Sequence, residues 1–249
     1  MQPTPDLSGR VALVTGASRG IGAAIAAHLA QAGAHVIALA RTQGGLEELD
    51  DRIRSLGGEA TLAPCDLKDG DALDRLGLAI HERWGRLDIF VGNAAVLGPV
   101  SPLGHIDPKQ WDDVLAVNVT ANWRLIRSLD PLLRAADAGR VALISSGAAH
   151  HARAYIGPYA ASKAALEALA RTYAAETVNT SRVRVMLLNP GPLRTHLRAA
   201  LMPGEDPLTL RDPESFAATV LPFCAARSTA TGGLYDFPSD RLLQFRPPA

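Results

Sequence analysis

The chain has 249 residues, 47% of them hydrophobic, with 25 basic and 25 acidic side chains. Balanced charge without a basic stripe argues against an electrostatic nucleic-acid binder, and no run of about 20 apolar residues exists to span a membrane. Two cysteines, Cys65 and Cys224, give neither a disulfide framework nor a metal-ligand cluster; no metal is expected, both thiols are expected to be small buried hydrophobes, and a reducing cytoplasm is the expected setting.

The N-terminal segment Met1–Asp6 lacks a basic n-region and an apolar h-region, so no secretory signal is expected. The apolar run Val11–Val14 lies in a strand expected at 10–15, buried and parallel. A glycine-rich turn, Gly16–Gly22, leads into an Ala-rich helix at 21–32. Further strands are expected at 35–40, 60–64, 88–92, 140–145, 182–188 and 233–237, with helices near 44–56, 69–84, 108–134, 158–178 and 213–226. Asp107-Pro108 and Asp212-Pro213 each set a capping carboxylate before an N1 proline. This alternation predicts βαβ units in a doubly wound parallel sheet of about seven strands, with helices on both faces. No Pro/Gly/Ser linker divides the chain, so residues 1–249 are expected to form a single domain. The stretch 194–211 has no clean periodicity and carries Pro203-Gly204 and Pro207. A loop of this length is expected to be a mobile lid over substrate. Its Arg194, His196 and Arg198 could meet an anionic substrate, but solvated surface charge is the plainer reading. The tail Arg246–Ala249 is expected to be frayed.

In sheets of this kind ligands bind at the carboxyl ends of the strands. Gly16–Gly22 follows the first strand, Asn93 the fourth, Ser146 the fifth and Pro190-Gly191 the sixth. Strand, glycine turn and helix together form a context in which backbone N–H groups and a helix N-terminus hold a pyrophosphate. The glycine spacing is GxxxGxG, but the physical need is the same: a tight turn and a close approach of cofactor and helix. Tyr159 and Lys163 stand four residues apart, so on a helix they share one face. A free tyrosine titrates near 10 and is a poor proton-transfer group at neutral pH. A neighbouring ammonium favours the phenolate, and a downward shift of about 3 units corresponds to about 4 kcal/mol. Ser146, thirteen residues before Tyr159, could bind the oxygen that gains or loses the proton.

Strand two ends Ala38-Leu39-Ala40-Arg41. An acid that would accept from a ribose 2′-hydroxyl is missing at Ala40, and Arg41 follows. Arg41 and Arg19 suit a 2′-phosphate, which favours NADP(H) over NAD(H).

Thr15–Gly22 (TGASRGIG), Asn93-Ala94, Asn118, Ser146, Tyr159, Lys163 and Asn189-Pro190-Gly191 together resemble the short-chain dehydrogenases/reductases, in that family's order and spacing over nearly the whole chain. The resemblance implies a Rossmann-type fold and hydride transfer between a nicotinamide and a small carbonyl or alcohol substrate. In it Tyr159 is the general acid/base, Ser146 holds the substrate oxygen and Lys163 reaches the nicotinamide ribose. Asn118 resembles the family asparagine supporting a water that connects Lys163 to solvent; a helix amide satisfying a backbone bend is the plainer alternative. Gly16, Ser18, Arg19, Gly20, Ile21, Gly22 and Arg41 would bind the cofactor, with Asp66 and Leu67 at the adenine. Asn93 and Ala94 would lie along the adenosine ribose, and Pro190, Gly191, Leu193 and Thr195 at the nicotinamide and phosphates. A homodimer or homotetramer packed through the helix Ala160–Glu176 is also implied. The chain departs from the family where Gly92-Asn93-Ala94-Ala95 stands for Asn-Asn-Ala-Gly. The competing readings are a non-catalytic dinucleotide-binding regulator or scaffold, and a lyase or epimerase on the same fold.

Overall fold

A computed structural model of the chain describes residues 4–245, so the expected tail 246–249 and the first three residues of the N-terminal segment lie outside the described residues. Strand β1, Val11–Thr15, is buried at every position. Its side chains alternate between two hydrophobic clusters: Ala12 and Val14 enter one, Val11 and Leu13 the other. A strand covered on both faces has to be apolar throughout, which is why its sequence shows a run rather than an alternation.

Strands β2 (His35–Ala40), β3 (Ala60–Pro64), β4 (Ile89–Gly92), β5 (Arg140–Ile144), β6 (Arg184–Asn189) and β7 (Leu234–Asp236) join β1 in parallel. The order is β3-β2-β1-β4-β5-β6-β7-β8, and it reverses direction between β1 and β4. The eighth strand, β8 (Arg241–Leu243), pairs antiparallel with β7 and corrects the expected count of about seven. Its three residues are all exposed, too short and too uniform to leave a pattern.

Helices α1 (Gly20–Gln31), α2 (Gln43–Ser55) and α8 (Pro213–Cys224) supply one cluster. Helices α3 (Gly70–Trp84), α5 (Ala121–Ala135) and α6 (Gly157–Thr177) supply the other. The predicted caps form: Asp107 Oδ1 accepts from Lys109 N–H at 2.9 Å, and Asp212 Oδ1 from Ser215 N–H at 2.8 Å. The single helix expected over 108–134 is instead α4 (Pro108–Leu115) and α5 joined by a π turn, Ala116–Thr120. The stretch expected to be a plain loop contains α7 (His196–Leu201) and a 3₁₀ turn, Pro207–Thr209. Cys224 is buried, but Cys65 is only half-buried. Among the described residues no helix is long and apolar enough to cross a membrane.

Candidate active site

The glycine turn is stitched to β4 at the point where the sheet order reverses. Thr15 Oγ1 accepts N–H bonds from Asn93 at 3.0 Å and Ala94 at 3.1 Å, and Asn93 Nδ2 donates to Thr15 O at 2.9 Å. The three glycines then do different work. Gly16 has φ +66°, and a Cβ there would lie 2.9 Å from Ala94 Cα. Gly22 has an ordinary φ, but a Cβ would lie 2.3 Å from Gly16 O. Gly20 (φ +58°) faces open space, where a Cβ would find only the Thr195 methyl, at 3.8 Å. Two glycines permit close packing and the third leaves room between the loop and Thr195. Helix α1 starts with no side-chain cap and no acid in its first turn. Its free N–H groups and positive dipole end therefore suit a phosphate. Ser18 and Ile21 flank this turn half-buried, and Arg19 is exposed.

At the far end of the cleft, Arg41 leaves β2 exposed. Gly45 in the first turn of α2 approaches the loop so closely that a Cβ would lie 2.9 Å from Ser18 Cβ. This packing sets the β2–α2 turn against the glycine loop. Among the described residues neither Arg19 nor Arg41 forms an ion pair. Asp66 closes the turn after β3 by accepting from Lys68 N–H at 3.0 Å, with Leu67 packed beside the core. The departure at Gly92 also has a local cause. A Cβ there would lie 2.5 Å from both Asn122 Oδ1 and Leu143 Cδ2, so a larger residue has no room.

Ser146, Tyr159 and Lys163 come together beyond the end of β5. Burial pushes the Tyr159 phenol above its usual value, and the Ser146 hydroxyl beside it pulls the other way. The Lys163 ammonium is 2% exposed, donates to Ile144 O at 2.7 Å, and lies 5.8 Å from the centre of the Tyr159 ring. Burial drops Lys163 to about 8, opposed by the Glu167 carboxylate. The expected net lowering of the tyrosine is thus corrected: desolvation of the phenol outweighs the pull of the neighbouring Ser146 hydroxyl. Sequence spacing can place the lysine, but it cannot weigh burial against charge.

The offset that selects Ser146 over Ser145 has a structural counterpart. Ser145 is buried and its hydroxyl donates to Glu167, whereas Ser146 lies half-buried at the cleft. Asn118 sits in the π turn with no exposed surface. Its amide donates to Val96 O at 3.0 Å and Ser162 Oγ at 2.9 Å, and its Oδ1 accepts from Val96 N–H at 2.9 Å. Its carbonyl accepts from Asn122 Nδ2 at 2.9 Å. Asn118 thus ties the segment after β4 to helix α6, at the residue next to Lys163.

After β6, Pro190 is buried and Gly191 takes φ +65°. Asn189 Oδ1 accepts from Gly191 N–H at 3.2 Å, while its amide donates to Asp236 Oδ1 at 2.7 Å. Leu193 is 2% exposed and turned into the core, bridged to Arg211, so its side chain belongs to packing. Thr195 caps α7 and faces Gly20 across the cleft. A cavity of about 520 Å³ lies among Arg194, Thr195, His196, Met202 and Leu210. The three expected cations of this stretch are not equivalent: Arg198 pairs with Glu205 through two bonds of 2.6 Å, while Arg194 and His196 are exposed. His151, Arg153 and Tyr155 are exposed on the segment between Ser146 and Tyr159. Ser162 and Glu167 are polar residues beside the motifs that spacing alone passed over; Ser162 accepts from Asn118, and Glu167 accepts from Ser145 and contacts His150.

The family model for short chain dehydrogenase matches residues 10–206. The oxidoreductase YciK of Escherichia coli K12 is 38% identical over 219 residues, covering 85% of each chain. The NADPH-dependent pterin aldehyde reductase of Arabidopsis thaliana is 33% identical over 191 residues, covering 77% of this chain and 78% of its own. The solved short chain dehydrogenase of Escherichia coli CFT073, complexed with NADPH, superposes with a TM-score of 0.86 at 36% identity, over 94% of this chain and 98% of its own. With the glycine turn, the serine, the tyrosine and the lysine at one strand-end cleft, the chain belongs to the short-chain dehydrogenase/reductase family.

Proposed function

We propose that the protein is an NADP(H)-dependent oxidoreductase acting on a carbonyl/secondary-alcohol pair, with Tyr159 as the general acid/base. The observation that carries this reading is the meeting of Ser146, Tyr159 and a buried lysine beyond the end of β5, with Lys163 donating to Ile144 O and lying 5.8 Å from the centre of the Tyr159 ring. A dinucleotide-binding scaffold has no use for an ammonium held at 2% exposure, because burying a charge is costly unless something is gained from it. The nicotinamide, when bound, supplies or accepts the hydride.

In reduction, Ser146 and Tyr159 donate hydrogen bonds to the substrate oxygen. Burial keeps the phenol protonated at neutral pH, the form needed to give its proton to the developing alkoxide. The Lys163 cation then stabilises the phenolate left behind. Oxidation runs the same proton backwards. Asn118 keeps the helix face of Ser162 and Lys163 in register through its bond to Ser162. Gly16, Gly20, Gly22, Ser18, Ile21 and Thr195 would hold the pyrophosphate, and Asp66, Leu67, Asn93 and Ala94 the adenosine. Pro190 and Gly191 would border the nicotinamide, and the segment 194–211 would close over substrate.

NADP(H) is preferred because Arg19 and Arg41 are both exposed beside the loop and, among the described residues, form no ion pair. Each charge-assisted bond to a 2′-phosphate is worth about 1.5–3 kcal/mol. Replacing either arginine by alanine is therefore expected to weaken NADPH binding about 10- to 100-fold and to leave NADH binding nearly unchanged. Fluorescence titration of both cofactors checks this. Equal affinity of the intact protein for NADH and NADPH would refute the cofactor assignment.

A further inference from the structure

We propose that Glu167 is a positioning residue for the catalytic pair. Its buried carboxylate, one helical turn beyond Lys163 on α6, holds the Ser145–His150 end of β5, fixes the segment that carries Ser146 and places a negative charge on the Lys163 face of the helix. The inference rests on the roles given above to Ser146, Tyr159 and Lys163.

Glu167 is 3% exposed. It follows Lys163 by one helical turn, so the two side chains share a face. The Ser145 hydroxyl donates to Glu167 Oε1, and His150 Nε2 lies 3.1 Å from Oε1 and 3.0 Å from Oε2. Three elements therefore meet on one carboxylate: α6, the end of β5 and the turn after it. The charged and titratable groups around it are Lys163 and Arg171 on α6 and His150 from the turn. Arg171 is turned away, with its guanidinium 4.5 Å over the Phe245 ring and its Nε donating to the Glu167 main-chain carbonyl. Phe245 also stacks against His150, with centroids 6.1 Å apart, and contributes no charge.

The hydrogen bond from Ser145 does not require a charge, because a glutamine Oε1 would accept it equally well. What glutamine cannot do is oppose the desolvation of Lys163. Burial alone drives that ammonium toward its neutral form, and Glu167 is the group whose charge opposes it. Removing the negative charge must lower the Lys163 pKa further. The cation would then be lost at a lower pH, and with it the support for the Tyr159 phenolate.

The chain has three lysines, Lys68, Lys109 and Lys163, and the first two are exposed. Uniform labelling with [ε-¹³C]lysine therefore lets Lys163 be titrated by NMR in the whole protein without turnover. Glu167→Gln is expected to lower its midpoint by about one pH unit or more. Glu167→Asp keeps the charge and is expected to shift the midpoint downward by less than half as much. The basic limb of kcat/KM should move in parallel with the midpoint. A Glu167→Gln midpoint coincident with the wild type, or an equal shift in both variants, overturns the proposal. Should Glu167→Gln not fold, Glu167→Ala, which also removes the charge, takes its place: a downward shift of about one pH unit or more supports the role, and coincidence with the wild type overturns it. Titration shifts without any carbonyl turnover in the wild type would refute the oxidoreductase reading alone. Turnover without the shifts would refute the role of Glu167 alone.

Discussion

Replacing Tyr159 by phenylalanine is expected to lower kcat/KM about 10³-fold, within the range of a lost general acid, while the fold and NADPH affinity stay close to the wild type. The ring is 6% exposed and fills its place through its carbon skeleton, which phenylalanine retains. The hydroxyl's polar neighbour is Ser146, so its removal costs no more than one hydrogen bond, about 1 kcal/mol of stability. The same substitution removes the proton that the alkoxide needs, because the serine hydroxyl that remains is a far weaker acid than a phenol. The split is diagnostic: turnover collapses while the melting temperature and the cofactor Kd hold. Equal losses in all three would mean that Tyr159 is a packing residue.

Gly22→Ala is expected to have the largest effect on the folded state and on cofactor binding together. The added methyl carbon would sit 2.3 Å from Gly16 O, 2.8 Å from Gly16 C and 2.5 Å from Asn93 Nδ2. Two of these atoms are backbone, and the third is the amide that bonds Thr15 O, so no flexible side-chain end can yield. Helix α1 must move away from β1 and β4. Overpacking of this kind costs about 1–3 kcal/mol, or about 2–4 °C of Tm per kcal/mol in a chain of this size. The displaced N–H groups should also weaken NADPH binding more than tenfold. Gly44→Ala is the control, because no atom lies within 4 Å of a Cβ there and its backbone is helical. That variant should melt at or slightly above the wild-type temperature. Thermal melts and NADPH titration of both variants check the contrast. An unperturbed Gly22→Ala would show that the loop does not depend on this contact.

The residues that spacing made legible are those whose role depends on backbone geometry or helical period. Gly16 and Gly20 take positive φ, which few other residues tolerate, so they stand out in the chain. Tyr159 and Lys163 are tied by the period of α6, and Asp107-Pro108 and Asp212-Pro213 announce helix starts through their own side chains. The residues that escaped depend on partners distant in sequence. Ser162 is held by Asn118, and Glu167 by Ser145 and His150. The π turn at Ala116–Thr120 was invisible because the residues that flank it keep right-handed helical backbone angles, so the apolar period runs through it. Helix α7, six residues long, is too short for a 3.6-residue period to repeat twice. Arg198 seemed a free cation because Glu205, seven residues on, is not at a helical pairing distance. The acidity of Tyr159 was misjudged for a similar reason. Its sign depends on how deeply the fold buries the phenol, and sequence separation carries no measure of depth.

The central claim is that this cleft moves a hydride to a carbonyl carbon while Tyr159 protonates the oxygen. The most direct measurement is deuterium transfer from NADPH labelled at C4 of the nicotinamide, on both faces, to a panel of aldehydes and ketones, read by mass spectrometry of the alcohols. The account predicts an alcohol carrying deuterium on the former carbonyl carbon with the wild type, and almost none with Tyr159→Phe under the same conditions. Tight NADPH binding with no labelled alcohol from any carbonyl, or equal labelling by both proteins, would contradict it.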